Sequence, residues 1–236
     1  MLKRPKSGKI VTINSGKIMS DALYRAILDS KINIHKAAEI GVFSFETSVL
    51  KPFIEKGKIC HLFEAVPEYC DEIKSNIKEF KNTTLNCYAV SNFEGVITLC
   101  MAGPSTFSAS QSEAPAINHD GLDRQSLRTV TVSCRNFASV DPGDYDLVSI
   151  DTEGSEFDVL SVMVSRPRLI SIETQSRDYV NPKLGAITDW MVANNYKVWL
   201  WNDTDTVFVR GEIPRVTLFE RLKARWHSFR YFAGRL

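Results

Sequence analysis

The sequence predicts an α/β fold: a doubly wound, mostly parallel sheet closed by an antiparallel β-hairpin. Three observations carry this. Strand-like and helix-like segments alternate along most of the chain. The last two strand patterns are separated only by the turn residues Asn202-Asp203-Thr204-Asp205. Three strand patterns end in carboxylates, Glu64, Asp151 and Glu173, and parallel sheets bind their ligands at that carboxyl edge.

The elements follow in order. Ser20 is a candidate N-cap for a short helix whose Leu23, Ile27 and Leu28 share a face. Residues 36–41 form a short strand ending in glycine. A helix is predicted from Phe45 to about Lys56, kinked or restarted by Pro52. Residues 59–64 are a strand, and Pro67 suits the first turn of a helix with Tyr69, Ile73 and Ile77 at i, i+4 and i+8. Residues 84–90 read as a third strand. A Ser/Ala/Pro-rich stretch from Ala102 to about Ser126 breaks the rhythm and is long enough to be a functional loop. Strands at 130–132 and 146–151 resume it, followed by a helix from Glu156 to Met163 and the strand 169–173. A helix carrying Leu184, Ile187, Trp190 and Met191 on one side leads to the closing hairpin, 196–201 with 206–209. No internal repeat is present. The expected organisation is a basic arm and helix (1–35), one enzymatic domain (36–211) and a basic tail (212–236).

With 236 residues, 44% of them hydrophobic and 24% charged, the chain has the composition of a globular protein. No run of about 18 apolar residues exists to span a membrane, and no secretory signal is predicted. Five widely spaced cysteines without a CxxC pair read as reduced thiols of a cytoplasmic protein. Residues 1–17 carry five Lys/Arg and no acid, and residues 215–236 carry six against Glu220, which leaves an acidic body between basic ends. That distribution argues against a nucleic-acid partner. In the tail, Leu218, Phe219, Leu222, Trp226, Phe229 and Phe232 recur at helical spacing among arginines and lysines. The pattern suits either peripheral contact with the inner face of an anionic membrane, or docking on the domain or in a homodimer.

The motifs at the carboxyl edge resemble those of a known family. Glu39-Ile40-Gly41-Val42-Phe43-Ser44, Leu62-Phe63-Glu64-Ala65-Val66-Pro67 and Ala89-Val90-Ser91-Asn92-Phe93-Glu94-Gly95 are similar to the cofactor half of FkbM-family S-adenosylmethionine-dependent methyltransferases. The segment from Asp146 to Leu160, with Ile150-Asp151-Thr152-Glu153-Gly154-Ser155-Glu156 at its centre, resembles that family's most characteristic stretch, and 166–173 its next. The resemblance implies a class I methyltransferase-like (Rossmann-like) fold with S-adenosyl-L-methionine as cofactor. It further implies O-methylation of a hydroxyl on a sugar, glycan or related polyhydroxylated acceptor.

On this resemblance the cofactor-binding residues are Glu39, Gly41, Val42, Phe43, Ser44, Glu64, Ala65, Ala89, Val90 and Ser91. Gly41 lets backbone approach the methionine part, Glu39 faces its ammonium and Glu64 accepts both ribose hydroxyls. Phe45 stands where the family usually has a further glycine, and Arg135-Asn136 where it commonly has Leu-Asp. Asp151, Glu153 and Glu173 are the candidate catalytic residues: an alcohol acceptor must lose a proton, either to a carboxylate or with help from a bound cation. A base is favoured over a magnesium ligand because no Asp-Asn pair follows Asp151 at the usual spacing, so no metal residues are assigned. Glu156 reads as an acid favoured at a helix N-terminus, and His119-Asp120 as an exposed turn. Two other readings remain open: a nucleotide-sugar or NAD enzyme, against which the missing GxGxxG counts, and a catalytically inactive binding or assembly module.

Overall fold

The structure, a computed structural model, describes residues 11–12, 19–111, 114, 117, 121–175, 180–201 and 204–214. The first helix begins at Met19, so Ser20 lies inside it rather than at the expected N-cap; the side chain of Ser20, the His119-Asp120 turn and the tail 215–236 lie outside the described residues. An eight-stranded sheet forms the centre. Strands β2 (Lys36–Ile40), β3 (Ile59–Glu64) and β4 (Thr83–Cys87) run parallel towards one edge, and β9 (Leu147–Ile150) and β10 (Leu169–Glu173) run parallel to β2 on its other side. The hairpin β11 (Tyr196–Trp201) and β12 (Asp205–Arg210) closes the sheet, with β12 antiparallel to β10. A two-residue strand from the basic arm, β1 (Val11–Thr12), pairs with β11. The chain therefore winds outward in both directions from the β2/β9 boundary, and the carboxyl ends of those strands are where such a sheet leaves a crevice.

The inner strands are mostly apolar because both faces are covered. All five residues of β10 and all four of β9 are buried. Alternate strand residues supply two cores. Ala37, Leu147 and Leu169 pack with Leu23, Ile27, Phe53 and Ile73 from the helices Met19–Asp29, Lys51–Glu55 and Pro67–Ile77. Ala38, Val148 and Ile170 pack with Val159, Leu160, Ile187 and Met191 from the helices Glu156–Val162 and Leu184–Ala193.

The structure departs from the sequence expectations in four further places. The helix expected from Phe45 begins only at Lys51, because Ser48, Val49 and Leu50 give their donors to the Glu39 carboxylate; Pro52 sits in its first turn, the restart that is one of the two expectations for it. Leu28 is 55% exposed, off the buried stripe of Leu23 and Ile27. The third strand breaks at Tyr88, giving β4 and a separate β5 (Ala89–Ser91). Finally, β5 joins β8 (Thr129–Asn136), β6 (Gly95–Cys100) and β7 (Phe107–Ser108) in a second, four-stranded sheet. The strand read at 130–132 thus belongs to this smaller sheet. All five cysteines are free thiols, with only Cys87 exposed.

Candidate active site

A cavity of about 340 Å³ lies over the carboxyl ends of β2, β3 and β9, roofed by the second sheet. Gly41 forms its floor. Its φ is +82°, its N–H donates to the Phe63 carbonyl at 3.0 Å, and a Cβ there would stand 1.7 Å from the Asp151 carbonyl oxygen. No side chain fits between the ends of β2 and β9. The next turn is equally constrained, since Phe43 takes a left-handed φ of +57°. Glu64 explains why. One carboxylate oxygen accepts the Phe43 N–H at 2.9 Å and that of Val42 at 3.3 Å, and the other accepts the Val66 N–H at 2.8 Å. Phe45 is buried against Phe80 and has no positive φ, so the family's usual glycine is not needed at that position.

Of the predicted cofactor-binding residues, Glu39, Gly41, Val42, Phe43, Glu64, Ala65, Ala89 and Val90 line this cavity. Ser44 and Ser91 do not: the Ser44 hydroxyl pairs with that of Thr47 at 2.8 Å, and Ser91 is buried in β5. Glu39 is 4% exposed and is engaged from the protein side by Ser48 Oγ at 2.5 Å, Val49 N at 2.8 Å and Leu50 N at 3.1 Å. Burial outweighs these bonds and pushes its carboxyl up to about 7.

The candidate catalytic acids gather at the β9–β10 end. Asp151 and Glu153 line the cavity. Asp151 opens onto it but is otherwise surrounded by protein, and burial, then Glu153, Asp205, Glu156 and Glu39, hold its carboxyl well above the usual carboxylate range. Glu153 sits at φ +55° on the turn after it. Glu173 lies behind the wall, 8% exposed, and its Oε2 meets no hydrogen-bond donor among the described residues. Burial, and then the neighbouring Asp151, Glu153, Glu156 and Asp205, push its pKa up to about 11. Glu156 is fully buried, and its Oε1 accepts from Thr152 N at 2.8 Å, Thr152 Oγ1 at 3.1 Å and Gly154 N at 3.0 Å, while Asn181 Nδ2 donates to Oε2 at 2.6 Å. It organises the turn preceding its own helix.

The sequence reading missed the roof and one wall. Tyr88, Ile97, Leu99, Thr106 and Ser108 line the cavity from the second sheet and its approaches, Tyr69 from the helix Pro67–Ile77, and Asp205 from β12. Asp205 is set opposite Glu173 by the antiparallel pairing of β12 with β10. Among the described residues of the wall there is no Lys, Arg or His. His61 is elsewhere, bonded to the Tyr145 hydroxyl at 2.7 Å, and burial lowers its pKa.

The model of the methyltransferase FkbM domain matches residues 35–198, most of the chain. The chain belongs to the FkbM methyltransferase family. No curated protein matches it. Solved structures similar to this FkbM chain include the methyltransferase domain of bacterial CtHen1, at 10% identity and TM-score 0.46, with 80% of this chain and 96% of that one covered. Another is a proposed caffeoyl-CoA O-methyltransferase from Staphylococcus aureus, at 12% identity and TM-score 0.49, with 85% and 86% covered. A third is a TehB-like SAM-dependent methyltransferase from Corynebacterium glutamicum, at 9% identity and TM-score 0.43, with 84% and 90% covered.

The residues present fit S-adenosylmethionine. Gly41 leaves room for a ligand against backbone, Glu64 has about one lone-pair position left beyond its three backbone bonds, and a wall holding Glu39, Asp151, Glu153 and Asp205, with no basic residue among its described members, suits a ligand that carries positive charge.

Proposed function

We propose that this FkbM-family chain transfers a methyl group from S-adenosylmethionine to a hydroxyl oxygen of a sugar, glycan or similar polyhydroxylated acceptor. The observation that carries the reading is the wall itself: aromatic Tyr69 and Tyr88, hydroxylated Thr106 and Ser108, several carboxylates and no cationic side chain among the described residues. Phosphorylated or sulfated acceptors would be repelled from such a wall, whereas a neutral polyol meets hydrogen-bonding groups and ring faces. When bound, the cofactor supplies an activated methyl group and a positive charge. The protein's part is positioning, exclusion of water by the roofing sheet, and receipt of the acceptor proton. Asp151 is the group that receives this proton. It faces the cavity, and in its ionised form it can accept a proton. A cation against the acidic wall favours that ionised form.

The test combines calorimetry with S-adenosylmethionine and its demethylated product, then methyl transfer to matched neutral and phosphorylated sugars. Binding of both cofactor forms and transfer to neutral acceptors is the expected result. Absence of binding at millimolar ligand removes the reading, and preference for the phosphorylated acceptors overturns the acceptor class.

A further inference from the structure

The acids at the β9–β10 end form a second feature beside the cavity. Asp151, Glu156 and Glu173 each offer a carboxylate oxygen, and these oxygens all lie within 4.8 Å of one another. An ion bonded at about 2.1–2.5 Å to oxygens on opposite sides spans about 4.2–5 Å, so the separations are those a single hard divalent cation bridges. Clustered acids alone would not specify a site. The second observation is Glu173, which is 92% buried by its 8% exposure, lies beside the other two, and has an Oε2 with no hydrogen-bond donor among the described residues. A buried carboxylate oxygen left without a donor costs free energy unless something else meets it.

We propose that Asp151, Glu156 and Glu173 bind one divalent cation of the oxygen-preferring class, such as Mg²⁺, Mn²⁺ or Ca²⁺. The three ligands are oriented in different ways. Glu156 is locked by Thr152, Gly154 and Asn181, the kind of outer support that fixes a metal-binding carboxylate. Glu173 is fixed by its place in β10 between β9 and β12. Asp151 stands between the ion and the cavity, so the remaining coordination positions open where water or a hydroxyl enters. All donors are oxygens, with no histidine or thiol, which excludes the softer metals as preferred occupants. The site adjoins the proposed acceptor cavity but does not rest on methyl transfer.

The experiment uses the full chain, stripped with a chelator and titrated at pH 7.5 with Mn²⁺, Mg²⁺ or Ca²⁺, read by calorimetry and by the Mn²⁺ paramagnetic resonance signal. One ion per chain is expected. Glu173→Gln keeps shape and removes only the charge, so it should fold and bind at least about tenfold more weakly. Asp71→Asn, an exposed acid on the helix Pro67–Ile77, should bind as wild type does. No binding up to about 10 mM of any of the three ions overturns the proposal and leaves a proton as the occupant of the cluster. So does equal affinity in Glu173→Gln. Because neither readout involves cofactor or turnover, failure here and failure of the methyltransferase reading are told apart.

Discussion

Replacing Glu64 by alanine tests whether the turn after β2 exists because a carboxylate holds it. The wild-type side chain accepts two short bonds, from Phe43 N at 2.9 Å and Val66 N at 2.8 Å, and a longer one from Val42 N at 3.3 Å. A bond to a charged acceptor is worth about 1.5–3 kcal/mol, so the two short ones set an upper limit of about 3–6. Two effects reduce this. Cavity water can reach the freed donors, and Phe43 relaxes from its left-handed φ, recovering about 1–2 kcal/mol. The expected loss is about 2–4 kcal/mol in the absence of any ligand. Glu64→Gln should lose nearly as much, because its amide must point N–H groups at one of the backbone donors now bonded to oxygen. The assay is urea unfolding of ligand-free protein at pH 7, followed by cofactor titration of each variant. If ligand-free Glu64→Ala unfolds within about 0.5 kcal/mol of wild type, the carboxylate does not organise the loop.

Three further outcomes are expected. Gly41→Ala should lose at least about 3 kcal/mol or fail to fold, because its Cβ meets the Asp151 carbonyl at 1.7 Å; a thermal melt near wild type refutes this. Glu39 is raised from 4.5 to about 7 in the folded chain, so the unfolded state releases its proton first; the stability this group contributes is complete below pH 4.5 and declines by about 3 kcal/mol by pH 7. Glu39→Gln should flatten that fall between pH 5 and 7 in urea titrations, and an unchanged slope counts against it. Asp151→Asn should fold, bind cofactor and turn over about 10²–10⁴-fold more slowly on the true acceptor, so near-normal turnover removes Asp151 as proton acceptor.

The main sheet was legible because each inner strand is a short apolar run ending in an acid or glycine, and because the hairpin turn is spelled in Asn and Asp. The small sheet was not. β6 is exposed along most of its length and reads as a polar connection, and although the alternation in β8 marks 130–132 as a strand, nothing in its pattern says which sheet it joins. Their pairing is a tertiary fact, and it brings Thr106 and Ser108 over the cavity from the stretch read as a loop. Motif matching placed a missing glycine at Phe45, whereas the positive φ falls on Phe43, two residues earlier. Only the Glu64 hydrogen bonds show why, and they join residues more than twenty positions apart.

The acids of the motif divide into two kinds, and the division follows from what a parallel sheet leaves unfinished at its carboxyl edge. Where β2, β3 and β9 end, the chain turns sharply and several backbone N–H groups lose their sheet partners. A carboxylate, with about four lone-pair positions, accepts from two or three of them at once. Glu64 does so for the turns after β2 and β3, Glu39 for Val49 and Leu50, and Glu156 for Thr152 and Gly154. Those three acids build the loops. Asp151, Glu153 and Asp205 also line the cavity, with Glu173 behind them. Burial first, and then the neighbouring acids, strain the ionised forms of Asp151 and Glu173, which is why their carboxyls are pushed upward. A ligand carrying positive charge relieves that strain as it binds, so binding should release protons in proportion to the acids it ionises.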